Sequence, residues 1–229
     1  MSDDEMQPLQ YIKQYHSHRD SLYHPERGPS IFGLVANPSL DCVCAELARL
    51  AYTRFEKNAA AQARLAQILA TGGFGQPACF NSEGSQAFAV KAKDARRFVS
   101  FRGTQTDDLT DVIHDAECIP MTVAGYRGMV HWGFEKALQS IWPQVQEWLA
   151  ANASPQPPVF TGHSLGAALA TLAAARVPNA ELITFGSPRV GNEEFAASFA
   201  GRAVRRYVDC CDGVTLVPLE AGWGTSTWG

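Results

Sequence analysis

The sequence predicts an α/β fold built on one central, mixed and mostly parallel sheet that is flanked by helices. Strand-like and helical runs alternate in the second half of the chain, which indicates parallel strands joined by crossover helices. A hairpin pattern upstream adds antiparallel pairing to the same sheet. The 229 residues are 46% hydrophobic and 18% charged, a composition that can bury one sizeable core.

Three helices are predicted from capping residues and apolar spacing. Ser39 can cap a helix in which apolar residues recur at helical spacing, namely Leu40, Val43, Leu47, Leu50 and Ala51. A second helix over residues 59–70 stops at the glycine pair 72–73, because glycine favours a helix C-terminus. A third apolar face runs through residues 134–149, and Pro143 is expected to kink that helix or divide it in two.

The predicted strands are short apolar runs bounded by turn residues, at positions 86–91, 97–101, 158–161, 182–185 and 203–208. The first two flank a charged turn and indicate a β-hairpin. An alanine-rich helix separates the third from the fourth, and a helical stretch over residues 193–199 precedes the fifth. This order gives the parallel half of the sheet.

Charge and hydropathy exclude several classes of function. A balance of 19 basic to 23 acidic residues gives a formal net charge of -4, which argues against nucleic-acid or anionic-membrane binding driven by bulk charge. The longest uncharged and mostly apolar stretch, residues 164–175, is too short to span a bilayer. The N-terminus lacks the features of a signal peptide, so we expect a protein that is cytoplasmic or is exported without a cleavable signal peptide.

Residues 1–30 are predicted to form a polar N-terminal arm, and residues 31–229 a single α/β domain. The arm contains His16, His18 and His24, which could suggest a metal site. No cysteine or paired carboxylate completes a ligand set, so we interpret them as solvated imidazoles. The six cysteines show no C-x-x-C spacing, and we expect buried free thiols rather than disulfides or zinc ligands.

The segment with the clearest chemical meaning is a G-x-S-x-G motif, Gly162-His-Ser-Leu-Gly166. It lies between a strand-like run and an alanine-rich helix, the context of a tight turn that presents a nucleophilic serine. Side chains two residues on either side of Ser164 would collide in such a turn, which explains both glycines. The alternative is that Ser164 serves only as a helix cap.

Four motifs occur in order along the chain: Phe98-Val-Ser-Phe-Arg-Gly-Thr104, His131-Trp-Gly-Phe134, the segment around Ser164, and Thr184-Phe-Gly-Ser-Pro-Arg-Val-Gly-Asn192. Together they resemble the class 3 lipase family, the α/β-hydrolase group that includes the fungal triacylglycerol lipases. The resemblance covers residues 40–218. One departure is Ala167, where the family usually repeats glycine; alanine is the better residue inside a helix.

The resemblance implies an α/β-hydrolase-type sheet and the hydrolysis of lipid carboxylic esters, of triacylglycerol lipase or phospholipase type, through an acyl-enzyme at Ser164. It implies that Thr104 and Leu165 supply the oxyanion hole, although Thr104 alone is typical of a strand-end turn. The family's triad acid precedes a valine and a proline, a pattern that fits Asp212 better than Asp209. No metal or cofactor is implied, and the expected partner is a lipid ester.

Residues 107–115 place Leu109, Val112 and Ile113 on one face of a short helix and acidic residues on the opposite face. In the family, a lid helix lies at this place and opens at a lipid surface. The segment is therefore either a lid over Ser164 or an ordinary amphipathic surface helix. Its acidic face argues against docking on anionic lipid.

A serine hydrolase of this type needs an imidazole base, which in α/β-hydrolases follows the serine and the acid in the chain. No histidine follows His163. His114, His131 and His163 fit the family pattern poorly as substitutes, so we expect the fold to continue beyond residue 229 and the base to lie there. The alternative is a catalytically impaired module of the same fold that binds lipid or a protein partner.

Overall fold

The computed structural model describes residues 24–103 and 119–208. Its helices are α1 (Leu40–Leu50), α2 (Ala59–Thr71), α3 (Trp132–Ala151), α4 (Leu165–Arg176) and α5 (Glu193–Ala197). Its strands are β1 (Ala78–Ser82), β2 (Ser85–Lys91), β3 (Arg97–Phe101), β4 (Pro120–Thr122), β5 (Met129–His131), β6 (Val159–His163), β7 (Glu181–Phe185) and β8 (Val204–Tyr207). Two turns of 3-10 helix, Pro25–Arg27 and Ile31–Gly33, precede α1.

A six-stranded sheet with the order β1-β2-β3-β6-β7-β8 forms the middle layer. Its first three strands pair antiparallel, whereas β3, β6, β7 and β8 run parallel. The predicted mixed and mostly parallel sheet is therefore confirmed. Strand β1 was not predicted, because only Phe80 of its five residues is buried and the apolar signal is weak. The separate β4–β5 pair, three residues on each side, also escaped prediction.

Helices cover both faces of this sheet, and the alternation of side chains along β2 shows how the core is divided. Ala87 and Ala89 lie in the apolar cluster formed with α3 and α4. Phe88 and Val90 lie in the opposite cluster, formed with α1 and α2. Successive residues of a strand point to opposite faces, so a strand covered on both sides is apolar along its whole length.

Helix α3 runs without interruption through Pro143. Of the two outcomes expected for Pro143, division of the helix is wrong, and a kink at this position stays a prediction. The physical reason lies in the buried face of α3, where Phe134, Leu138, Ile141 and Val145 are packed into one cluster on both sides of the proline. Tertiary packing of such a face outweighs the lost hydrogen bond of one proline.

The last residues of the predicted N-terminal arm contact α1. Pro25 is buried, and Arg49 donates a hydrogen bond of 2.9 Å from Nη1 to its carbonyl oxygen. The same guanidinium bonds to Glu46 Oε1 at 2.6 Å. His16 and His18 lie outside the described residues, and the division of the chain at residue 30 stays a prediction.

Three of the six cysteines lie in the described residues, and all three are free thiols. Burial raises the pKa of Cys44 to about 12 and that of Cys79 to about 11, so both thiols stay protonated near neutral pH. Cys42 is exposed, which corrects the expectation of burial for that residue. Within residues 24–103 and 119–208, no helix is long and apolar enough to cross a membrane.

Candidate active site

Ser164 lies at the carboxyl end of β6, in the middle of the parallel strands. Phe101 at the end of β3 is opposite Gly162, and Phe185 at the end of β7 is opposite His163. The carboxyl ends of three strands therefore meet around the serine. In open α/β sheets, ligands bind at this edge.

The backbone at Ser164 has the shape that the G-x-S-x-G motif predicts. Its φ of 57° and ψ of -127° lie in a region that non-glycine residues rarely adopt, at a cost on the order of 1–3 kcal/mol. The turn is held from both sides. The Ser164 amide donates to the Phe185 carbonyl at 3.0 Å, and the Ser164 carbonyl accepts from the Ala167 amide at 2.9 Å.

The two glycines of the motif are required by close backbone contacts. A Cβ on Gly162 would collide with the Gly166 backbone and lie 2.9 Å from the Ala167 nitrogen. A Cβ on Gly166 would collide with the Phe101 carbonyl oxygen and lie 2.8 Å from the Phe101 carbonyl carbon. The first turn of α4 thus packs directly on the end of β3, as the predicted steric role of the glycines requires.

The Ser164 side chain is buried, and its hydroxyl has no hydrogen-bond partner among the described residues. It makes no capping hydrogen bond to α4, so the helix-cap alternative finds no support in this geometry. A buried polar group without a partner is uncommon, and a catalytic role is one of the explanations for it. Leu165 is the first residue of α4, where the amide has no acceptor within the helix and the helix dipole favours negative charge.

A cavity of about 340 Å³ adjoins this turn. Leu165 and Leu169 of α4 form one wall, Gly103 after β3 forms another, and Gly84–Gln86 close the side toward β2. Its lining also includes the polar residues Ser85, Gln86 and Arg102. The cavity therefore lies beside Leu165, the residue that directly follows Ser164.

Arg102 lies directly before Gly103 and has its guanidinium buried against the loop after α1. It donates from Nε to the Ala51 carbonyl at 2.6 Å and from Nη2 to the Thr53 carbonyl. It also forms a bidentate ion pair with Glu56, in which Nη1 lies 3.0 Å from Oε1 and Nη2 lies 2.9 Å from Oε2. Burial acts to raise the pKa of Glu56, but the hydrogen bonds and charge of Arg102 outweigh it, so that this pKa lies below its ordinary value.

Two of the histidines considered as substitute bases have other contacts. His131 is fully buried, its Nδ1 accepts a hydrogen bond from the Phe134 amide at 3.3 Å, and burial lowers its pKa to about 4. It is therefore the N-cap of α3. His163 Nδ1 is hydrogen-bonded to the Tyr52 hydroxyl at 2.9 Å. His114 lies outside the described residues.

Several predicted site residues also lie outside the described residues. They are Thr104, Asp212, its alternative Asp209, and the segment 107–115, and their roles stay predictions. Two further residues lie at this site without having been predicted as site residues, Tyr52 and Arg102. Arg102 belongs to the Phe98–Thr104 motif, whereas Tyr52 follows a helix in a stretch without any motif.

Comparisons with known proteins place this geometry in context. The model of the lipase (class 3) family matches residues 98–222. The chain is 29% identical over 136 residues to a secreted mono- and diacylglycerol lipase of Gibberella zeae, an alignment that covers 52% of this chain and 43% of the relative. It is 35% identical over 109 residues to the chloroplastic phospholipase A(1) DAD1 of Arabidopsis thaliana, covering 43% of this chain and 24% of the relative. The chain spans less than half the length of these curated relatives.

Solved structures give the same result for the fold. The lipase of Rhizopus microsporus var. chinensis matches with a TM-score of 0.62 and 26% identity, over 77% of this chain and 67% of that one. Lipase II from Rhizopus niveus matches with a TM-score of 0.63 and 24% identity, over 79% of this chain and 74% of that one. The central sheet and its helices are thus of the α/β-hydrolase type, as predicted.

Proposed function

Because this chain belongs to the class 3 lipase family, we propose that it hydrolyses carboxylic esters of lipids through Ser164. The observation that carries the proposal is the state of that serine. It is buried at a positive φ at the carboxyl edge of the sheet, and its hydroxyl has no partner among the described residues. One relative is named a mono- and diacylglycerol lipase and another a phospholipase A(1). These names support a glyceride or a phospholipid as the substrate.

In the proposed reaction, Ser164 Oγ attacks the ester carbonyl and loses its proton to an imidazole base. The amides of Leu165 and Thr104 stabilise the oxyanion, and removing one such donor typically costs about 3–4 kcal/mol of transition-state stabilisation. The alcohol leaves with the proton from the imidazolium, and water then releases the acid from the acyl-enzyme. No step requires a metal or a cofactor.

We assign the orientation of the base to Asp212. We assign the base itself to neither His131, which caps α3, nor His163, which is bonded to Tyr52. In α/β-hydrolases the histidine base follows the acid in the chain.

The test is covalent labelling of the full-length protein with a fluorophosphonate probe, followed by an assay of fatty-acid release from a triacylglycerol and from phosphatidylcholine. Labelling and release should both disappear in Ser164→Ala. Ser187→Ala is the matched control, because Ser187 is another buried serine just after β7. Its labelling should equal that of the wild type.

Two results would contradict the proposal. Labelling that persists in Ser164→Ala would place the nucleophile elsewhere. A wild-type protein that is neither labelled nor active would favour the alternative of a module that binds lipid or a protein partner without hydrolysing it.

A further inference from the structure

We propose that Tyr52 is a positioning residue of this site, an inference that rests on the proposed function. Its buried hydroxyl joins the strand end that carries Ser164 to the strand end that leads into Thr104. These are the two backbone segments whose relative position must be fixed if the nucleophile and the oxyanion donors are to act on one carbonyl group.

The first contact is with the end of β6. Tyr52 is 4% exposed, and its Oη lies 2.9 Å from Nδ1 of His163. His163 is the last residue of β6 and directly precedes Ser164. The hydrogen bond therefore restrains the side chain of the residue from which the strained turn starts.

The second contact is with the end of β3. A Cβ on Gly103 would collide with Tyr52 Oη and lie only 2.6 Å from the His163 carbonyl oxygen. The phenol thus occupies the space that a side chain at position 103 would need. The Tyr52 hydroxyl therefore contacts both His163 and Gly103. A shift of the phenol would change the packing at both strand ends.

Arg102 holds the backbone on either side of Tyr52. Its guanidinium donates to the carbonyl oxygens of Ala51 and Thr53, the two residues that flank the tyrosine. Glu56 forms a bidentate ion pair with the same guanidinium. Arg102 directly precedes Gly103. Its hydrogen bonds therefore hold the loop after α1 against the end of β3.

Tyr52→Phe removes the hydroxyl and retains the ring, so it tests the hydrogen bond rather than the packing. A misplacement of about 1 Å can cost a factor of 10² in rate. The loss of one restraint should give a smaller displacement, and we expect kcat to fall about tenfold. KM should stay within about twofold of the wild-type value, because the groups that hold the substrate remain.

The experiment measures hydrolysis of a soluble p-nitrophenyl ester by the full-length protein and, separately, amide hydrogen exchange in residues 100–103 and 162–165. Tyr52→Phe should lower kcat and increase exchange in both segments. Tyr126→Phe is the matched control. The Tyr126 hydroxyl donates to Glu135 at 2.8 Å and accepts from Arg176 at 2.6 Å, in a network that joins α3 to α4. That variant should lower the Tm while leaving kcat and the local exchange unchanged.

A Tyr52→Phe protein with kcat within twofold of wild type and unchanged exchange would overturn the inference. So would an equal fall of kcat in Tyr126→Phe, because the effect would then be one of general stability. If the wild type itself shows no Ser164-dependent turnover, the proposed function fails. The exchange measurement then decides alone whether Tyr52 restrains the two strand ends.

Discussion

At the scale of single residues, the backbone strain at Ser164 is the central feature. The residue keeps a φ of 57° because β7 holds its amide and α4 holds its carbonyl. The strain is tolerated only while the first turn of α4 can approach the end of β3. Gly166 permits that approach, and any side chain there would push the two apart.

Gly166→Ala is therefore expected to destabilise the protein by about 1–3 kcal/mol, the usual cost of forcing extra atoms into a packed site. It should also abolish labelling by a fluorophosphonate, because the turn cannot keep its shape. Gly33→Ala is the control, since a Cβ there meets no atom within 4 Å. Denaturant unfolding and probe labelling measure the two effects. Wild-type values for Gly166→Ala would contradict the steric role of this glycine.

The assignment of the acid leads to a second prediction at the residue scale. Asp212→Asn should lower kcat of the full-length enzyme by about 10⁴-fold, as removing the charge of a triad acid does. Asp209→Asn should leave kcat close to that of the wild type. Steady-state kinetics on a soluble ester distinguish the two variants. The reverse pattern would move the triad acid to Asp209.

At the scale of secondary-structure elements, the start of α3 depends on a histidine. His131 ends β5 and caps α3, with its ring stacked on Phe134 at a centroid distance of 4.0 Å. Burial lowers its pKa from the ordinary value of 6.5 to about 4. As the pH falls below 6.5, the unfolded chain binds a proton at this residue while the folded protein does not.

The free energy of unfolding that neutral His131 contributes should therefore be fully present above about pH 6.5. It should decrease as the pH falls toward 4. His131→Asn keeps a capping side chain and removes the titration. Its Tm should change less than that of the wild type between these pH values, which thermal melts across the range will measure. Parallel curves for the two proteins would show that other groups cause the acid sensitivity.

Local patterns predicted most elements, and packing explains those that were missed. Helix α1 was predictable because Ser39 caps it and its apolar face repeats, and the structure has both features. Whether Pro143 would kink or divide α3 could not be decided from the sequence, because the outcome depends on contacts with α4 and the sheet. The same contrast holds for the site. Ser164 and Leu165 lie in one local motif, whereas Tyr52 reaches His163 across 111 positions of sequence.

At the scale of the whole molecule, we propose that the segment 107–115, which lies outside the described residues, governs access of the substrate to the site. If it is a lid, activity on a short-chain ester should rise steeply once the ester exceeds its solubility limit, as a lid opens at a lipid surface. We expect this rise. Leu109→Ser combined with Ile113→Ser should reduce it while leaving activity on the dissolved ester unchanged. A smooth saturation curve through the solubility limit would identify the segment as an ordinary surface helix.

The topology of the sheet also has a consequence for biosynthesis. Strand β3 has β2 on one side, but its other neighbour is β6, which begins at Val159. Until β6 has been synthesised, the β3 edge of the hairpin has no partner strand. Phe88, Val90 and Phe98 then lack the contacts that Val159 and Ile183 later provide in their cluster. Long-range pairing of this kind slows folding and leaves apolar surface open to aggregation. The yield of native protein should therefore depend on chaperone supply and on the rate of translation.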